Sequence, residues 1–322
     1  ARIDEGLSDV SISRPERDIP WGIPVPGNPS QFMYVWCDAL ASYLSALGYG
    51  GKDDTNFREF WPANVQVIGK DIVRFHTLLW PALLLSAKLP LPQEIFAHGF
   101  VTSGGKKMSK SIGNVIDPYE FINEYGLDAL RYYFAREVVP TEDWDLTREK
   151  FKEIYNANLA NGIGNLVSRT LKMSNQYFKG NITGRRESAP PLRTRAIFET
   201  YEAEIGGINI PFIVQNDILP RYHAHMYGLE INKAADVVWE LSSRLDHFIA
   251  DYEPFKLIKT DKEMTEKVLW GIIFGITQIA DMLIPIIPDT AQKIKKLIEV
   301  KDEEGEITFT TKSPTEPLFA RK

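Results

Sequence analysis

"NVQVIGKDIVRFHTLLWPALLLSAKL", Asn64 to Leu89, changes its hydrophobic period partway along, and that change decides the fold class. "NVQVIG" is a short run rich in β-branched residues and closed by glycine, which reads as a strand. From Asp71 the apolar residues recur at helical spacing, and Pro81 predicts a kink. The same alternation lies on both sides. Upstream, "QFMYVW" (31–36) reads as a buried strand and "DALASYLSALGY" as a helix with Asp38 at its N-cap. Downstream, "EIFAHGFVTS" reads as a third strand leading into "GGKKMSKSIGN" (104–114). Strands separated by helices of this length predict βαβ units and a parallel sheet. Ligands of such sheets sit beyond the carboxyl ends of the strands, which is where Trp36, Asp38, Gly69, Asp71 and the glycine-lysine loop are expected.

Beyond the loop, "DPYEF" predicts a helix start with Asp117 at the N-cap, Pro118 at the first position and Glu120 at the third. From about Thr147 long amphipathic patterns take over: "REKFKEIYNANLANGIGNLVSRTLKMSNQYF", "INKAADVVWELSSRLDHFIADY" and "KEMTEKVLWGIIFGITQIADMLIPII". They predict an α-helical bundle. The expected fold class is therefore α/β followed by all-α, with domains 1–146 and 147–322. "KGNITGRRESAPPLRTR" reads as a polar connection and the tail from "VKDEEGEITF" as an exposed, hairpin-like end. No internal repeat or low-complexity tract interrupts the pattern.

The 322 residues are 44% hydrophobic and 25% charged with a net charge of -6, so a polyanion would have to be met by local basic surfaces rather than by the whole field. A single cysteine, Cys37, excludes an intrachain disulfide and a cysteine-rich zinc site. No basic and apolar leader opens the chain, and its most apolar stretches are broken by proline or polar groups. These features predict a soluble protein with no membrane association and no metal site within these residues. They fit the cytoplasm and do not separate it from an organelle.

Trp36, Ala39, Leu40 and Tyr43 follow one strand, while Ile72, Phe75 and His76 fall at i, i+3 and i+4 on one helix. Together they would line an aromatic pocket with one imidazole, although plain core has the same spacing. Gly69 would let a ligand approach the backbone. Asp71 would either accept hydrogen bonds from a ribose or cap the helix. Lys106, Lys107 and Lys110, with the hydroxyls of Ser109 and Ser111, suit phosphate oxygens, yet their order is not that of a P-loop; a solvated basic turn has the same composition. In the bundle, Asn165 and Arg169 stand at i, i+4, and Phe255 lies just past another helix. An amide, a guanidinium and a ring are what unstacked RNA bases require, and also what an ordinary helix surface carries.

"KMSKS" (107–111) resembles the signature loop of class I aminoacyl-tRNA synthetases. "SISR", "WGIPVPG", "YVWCDALASY", "VIGKDIVRFH", "AHGFVTSGGKKMSKSIGNVIDP", "YGLDALRYYFAREV", "YNANLANGIGNLVSR" and "EPFKLIK" resemble, in order, the methionyl-tRNA synthetase family. The resemblance spans about Gly6 to Lys259 and implies a fold: the second half of a Rossmann-like nucleotide-binding domain, then an anticodon-binding bundle. It implies that methionine and ATP, with Mg2+, form methionyl-adenylate, and that the methionyl group passes to tRNA(Met). By similarity, Trp36, Ala39, Leu40, Tyr43, Ile72, Phe75 and His76 belong to the methionine pocket, whose aromatic walls suit a polarisable thioether. Gly69 and Asp71 would hold the adenylate ribose, the backbone near Phe100 and Val101 the adenine, and Arg14 a further part of the nucleotide. Ser109 and Ser111 belong to the nucleotide loop. Lys110, with Lys107, would stabilise the departing pyrophosphate. Asn165, Arg169 and Phe255 match positions that read the anticodon.

Two departures stand out. Tryptophan is common in the family where Phe255 stands, and the family's second signature, His-x-Gly-His, does not occur. The chain thus resembles the C-terminal portion of such an enzyme and is expected to be poorly active or inactive by itself. The alternatives are a sister class I synthetase for another apolar amino acid and a noncatalytic tRNA-binding module.

Overall fold

The computed structural model describes residues 6, 9–18, 21–108, 111, 113–185, 210–303 and 306–322. The chain divides into two compact units, Ala1–Phe100 and Val101–Lys322.

The first unit opens with β1 (Ser13–Pro15), β2 (Pro24–Val25) and β3 (Asn28–Met33), an antiparallel sheet in the order β1-β3-β2. The expected buried strand 31–36 is therefore corrected. Strand β3 stops at Met33, is mostly exposed, and lies in a sheet of its own. Helix α1 (Val35–Ser45) starts two residues later, with Tyr34 at its N-cap and Asp38 already in the first turn. An aromatic run carries no period, so it could not show that Trp36 belongs to a helix. After α2 (Thr55–Phe60), β4 (Val65–Gly69) pairs in parallel with β5 (Glu94–His98), as the βα pattern predicts. Gln66 and Ile68 of β4 are buried while Val67 is 64% exposed, so one face of this strand is covered.

The helical stretch between them is more than a kinked helix. A 3-10 turn (Lys70–Ile72) and a π-helical turn (Phe75–Leu79) precede α3 (Trp80–Ser86). Pro81 has no N–H to give the carbonyl of Thr77, and its ring crowds that oxygen. The ladder widens just ahead of it, and the Trp80 N–H reaches back five residues to the Phe75 carbonyl. Leu40 and Leu44 of α1 pack with Trp61 and with Trp80 and Leu84 of α3.

The second unit begins with β6 (Val101–Ser103), antiparallel to β7 (Lys106–Lys107) and parallel to β8 (Trp144–Asp145). "EIFAHGFVTS" is therefore two strands in two sheets, a second correction. Helix α4 (Pro118–Tyr125) starts as expected: Asp117 accepts the Tyr119 N–H and Pro118 takes the first position. Glu120 does not complete a capping box but pairs with Arg148. Helix α5 (Leu127–Tyr132) runs into a π-helical turn (Tyr133–Glu137). The amphipathic pattern 148–178 is divided into α6 (Arg148–Ile154), a π-helical segment (Tyr155–Ile163) bent at Gly162, and α7 (Gly164–Phe178).

Strand β9 (Asn181–Arg185) precedes 186–209, which lie outside the described residues. The chain then forms α8 (Ile210–Ile213), a π-helical turn (Val214–Ile218), α9 (Leu219–Tyr227), α10 (Ile231–Tyr252), α11 (Pro254–Leu257), α12 (Lys262–Leu283) and α13 (Pro288–Leu297). Leu166 and Leu171 of α7, Val238 and Leu245 of α10, and Ile272 and Ile276 of α12 meet in one core. The tail forms the expected hairpin, β10 (Ile298–Glu303) and β11 (Glu306–Thr311), and β9 adds to it. It is not an exposed end. Ile307 and Phe309 are buried, and the Trp270 indole donates to the Ile307 carbonyl at 3.0 Å.

Candidate functional site

In the first unit, α1 and the π-helical turn bring the predicted pocket residues together. The Trp36 and Phe75 rings stack with centroids 4.0 Å apart and planes 12° from parallel. His76 stands edge-on to Trp36 and to Tyr43. The imidazole is 1% exposed and tied at both nitrogens. Nδ1 lies 3.1 Å from the Ile72 carbonyl, and Nε2 lies 3.0 Å from the Tyr43 hydroxyl. A carbonyl can only accept, so a neutral ring carries its proton on Nδ1, and Nε2 accepts from Tyr43. The widened turn contributes directly, because it sets Phe75 and His76 on the side facing α1. Leu40 is 1% exposed and packs in the cluster beneath, Ala39 is exposed, and Ile72 is half-buried.

Gly69 ends β4, and a Cβ there would lie 2.7 Å from the Asp71 carboxylate. Asp71 is exposed in the 3-10 turn that follows. Beside Gly69 in the sheet register stands His98, which motif reading passed over; its only signal was its place at a strand's carboxyl end. The Lys70 ammonium lies 4.7 Å from the centre of the Phe100 ring. Arg14 is held by its own segment: it donates to the Ser11 and Ser13 carbonyls, and its guanidinium lies over the Tyr34 ring.

The glycine-lysine loop opens the second unit as a two-residue hairpin. Gly104 and Gly105 both have positive φ, +61° and +69°, as the tight turn between Ser103 and Lys106 requires. Asp145 on β8 pins it, since its Oδ1 accepts both the Thr102 hydroxyl at 2.8 Å and the Gly105 N–H at 2.9 Å. Asn114 donates to the Lys107 carbonyl from the far side of the loop. Lys107 and Ser111 are exposed and Val101 is half-buried; Ser109 and Lys110 lie outside the described residues.

Asn165, exposed in the first turn of α7, and Arg169 one turn on occupy one side of that helix. Phe255 is carried by α11 and is 44% exposed; Glu253, in the left-handed region at φ 42°, ends α10 and turns the chain into it. Asp246 on α10 was invisible to spacing, yet its Oδ1 accepts from Arg169 Nη2 at 2.8 Å. Burial pushes the Asp246 carboxyl above its ordinary range while the guanidinium pulls it back. Among the described residues no three His, Cys, Asp or Glu side chains form a metal cluster, and no helix is long and apolar enough to cross a membrane.

Comparison with known proteins bears on both units. Residues 1–171 match the family described as tRNA synthetases class I (M), and residues 214–312 match the anticodon binding domain of methionyl tRNA ligase. A methionine–tRNA ligase of Listeria monocytogenes is 40% identical over 94% of this chain and 43% of its own length. One from Bacillus subtilis is 36% identical over 99% of this chain and 47% of its own. The chain thus spans less than half the length of these relatives. Among solved structures, Mycobacterium tuberculosis methionyl-tRNA synthetase in complex with methionyl-adenylate superposes with a TM-score of 0.82 at 31% identity, covering 99% of this chain and 62% of that one. The ordered βα units, the hairpin loop and the helical bundle thus have a common source: this chain belongs to the class I (M) tRNA synthetase family.

Proposed function

We propose that the chain is part of a methionine–tRNA ligase that acts in the cytoplasm on L-methionine, ATP with Mg2+, and tRNA(Met). The observation that carries this reading is the aromatic cage: Trp36 stacked on Phe75 and closed by a His76 whose nitrogens are both engaged. The stacked faces are in contact with each other, so a thioether would meet the polarisable edges and outer surfaces of these rings rather than a gap between them, and an uncharged aromatic lining disfavours an ionic side chain. Leu40, Ile72 and Ala39 back and border it.

In the proposed reaction the methionine carboxylate attacks the α-phosphorus of ATP and pyrophosphate leaves. The terminal adenosine hydroxyl of the tRNA then attacks the acyl carbon and AMP leaves. No side chain forms a covalent intermediate. The Asp71 carboxylate is placed to accept from ribose hydroxyls, and the bare Gly69 backbone lets the nucleotide come close. The backbone at Phe100 and Val101 meets the adenine, and Arg14 adds a cation on the nucleotide side. Lys107, on a hairpin that Asp145 fixes at its root, and Lys110, three residues on in the sequence, stabilise charge that builds on pyrophosphate, with Ser109 and Ser111 as hydroxyl partners. Residues 1–146 serve this chemistry. Residues 147–322 read the anticodon through Asn165, Arg169 and Phe255, with Phe255 supplying the stacking face.

The test is ATP–pyrophosphate exchange by the full-length protein with a panel of apolar amino acids. Methionine should support exchange at least about a hundredfold better than leucine, isoleucine or valine, as a pocket shaped to one side chain allows. Equal exchange with a branched amino acid would overturn the assignment.

A further inference from the structure

Arg169 is built into its helix surface in an unusual way. Its side chain is 40% exposed, yet its Nε is buried and has no hydrogen-bond partner among the described residues. Its Nη2 donates to Asp246, which comes from a different helix and is itself 34% exposed. A guanidinium has five N–H groups in a rigid plane. Here one edge is buried and one corner is held by a carboxylate, so the plane cannot turn freely. What is left for a ligand is the Nη1 side and the outer N–H of Nη2.

We propose that Asp246 is a specificity-determining residue of the anticodon site, fixing the Arg169 guanidinium so that it meets a base edge rather than any nearby phosphate. The proposal rests on the assignment of Asn165, Arg169 and Phe255 to anticodon reading. Asp246 acts in two ways. It removes the rotamers through which a long cationic side chain would reach backbone phosphates, which bind without regard to sequence. Its negative charge also repels phosphates and base carbonyl oxygens that approach the occupied corner, so a base offering the wrong edge is rejected rather than merely less well bound. A positioning role of this kind lowers sequence-independent affinity while it raises discrimination. A purely structural ion pair does neither.

The test is filter binding of the full-length protein to tRNA transcripts carrying the methionine anticodon or a single-base change in it, over a series of salt concentrations. The wild type, Asp246→Ala, Asp246→Asn and Asp246→Glu are compared, with thermal melts to establish that each is folded. Asp246→Ala should lose about tenfold or more of the discrimination ratio, the size of one good base contact. Its plot of log K against log salt should steepen by about 0.7, one added phosphate contact on a single strand. Asp246→Asn keeps an acceptor for Nη2 but no charge, so it should move the same way and decides the matter if the alanine variant does not fold. Asp246→Glu should keep most of the discrimination. If wild type and the folded variants share one ratio and one salt slope, the proposal is wrong and the anticodon site stands. If wild type itself ignores the anticodon, the assignment of the site fails and the proposal with it.

Discussion

Replacing Tyr43 by phenylalanine removes one oxygen atom and leaves the rest of the cage in place. The Tyr43 hydroxyl is the donor that satisfies His76 Nε2, at 3.0 Å, and the ring it serves is 1% exposed. A buried nitrogen left without its donor costs about 1–3 kcal/mol. The Ile72 carbonyl still holds Nδ1, so the imidazole stays but is free to tilt about that one tether. Of this cost, about 1–2 kcal/mol should appear in substrate binding, a factor of about 5–30, because every 1.4 kcal/mol is tenfold. The stack of Trp36 on Phe75 does not depend on the hydroxyl, so KM for methionine should rise while kcat is nearly kept, the signature of lost uniform binding. Steady-state pyrophosphate exchange by the full-length protein reads both parameters. A Tyr43→Phe enzyme that melts at a lower temperature but keeps the wild-type KM would refute the reasoning, because His76 would then be a core histidine and no part of a pocket.

Three further outcomes follow from the second unit. Asp128, buried in α5, accepts the Thr290 N–H at the start of α13, where Ile287 at the N-cap has no acceptor to offer; Asp128→Ala should therefore cost about 1.5–3 kcal/mol in urea denaturation, and a change below about 0.5 kcal/mol would contradict this. Glu240 bridges Arg221 and Arg244, and the hydrogen bond from Arg221 holds its carboxyl below the ordinary 4.5. A depressed folded value means stability present above 4.5 and lost as pH falls through the lower folded value, so Glu240→Gln should lower the Tm at pH 7, and its difference from wild type should shrink as the pH falls below 4.5. The Tyr133 hydroxyl is buried without a partner among the described residues, and burial, with Glu137 and Asp145 nearby, pushes it up to about 12. Tyr133→Phe should be neutral or stabilising by up to about 1 kcal/mol, and a loss of more than about 1 kcal/mol in the same denaturation assay would show that the hydroxyl has a partner.

What was legible in the sequence was local. The parallel pair β4 and β5 follows from two β-branched runs around a helical one, and the start of α4 from Asp117 and Pro118 in adjacent positions. The i, i+4 spacing of Asn165 and Arg169 sufficed to put them on one side of α7. Reading failed where two periods compete. "QFMYVW" is apolar at every position but one, so nothing in it marks the change from strand to helix at Tyr34. The amphipathic run 148–178 keeps its apolar face through a π-helical segment, because one extra residue per turn shifts that face without removing it.

Apart from His98, the residues not legible in the sequence have one property in common. Asp145, Asp246 and Asp128 each accept a hydrogen bond from a group far along the chain: Gly105 at 40 residues, Arg169 at 77 and Thr290 at 162. No spacing rule reaches that far, since helix and strand periods relate residues within a turn or two. Asp145 meets a glycine turn, Asp246 a half-buried arginine, and Asp128 a helix that begins after isoleucine. The motifs carry the groups proposed to touch substrate and tRNA, and two of these acids, Asp145 and Asp246, hold such groups from neighbouring elements, while Asp128 holds the start of a helix. In the proposed reaction, which depends on a hairpin holding lysines and on a guanidinium meeting one base, Asp145 and Asp246 would then matter as much as the motif residues. Substituting Asp145 should alter rate and substituting Asp246 discrimination while the signatures "KMSKS" and "GNLVSR" stay intact, so an intact motif is not by itself evidence of an intact site.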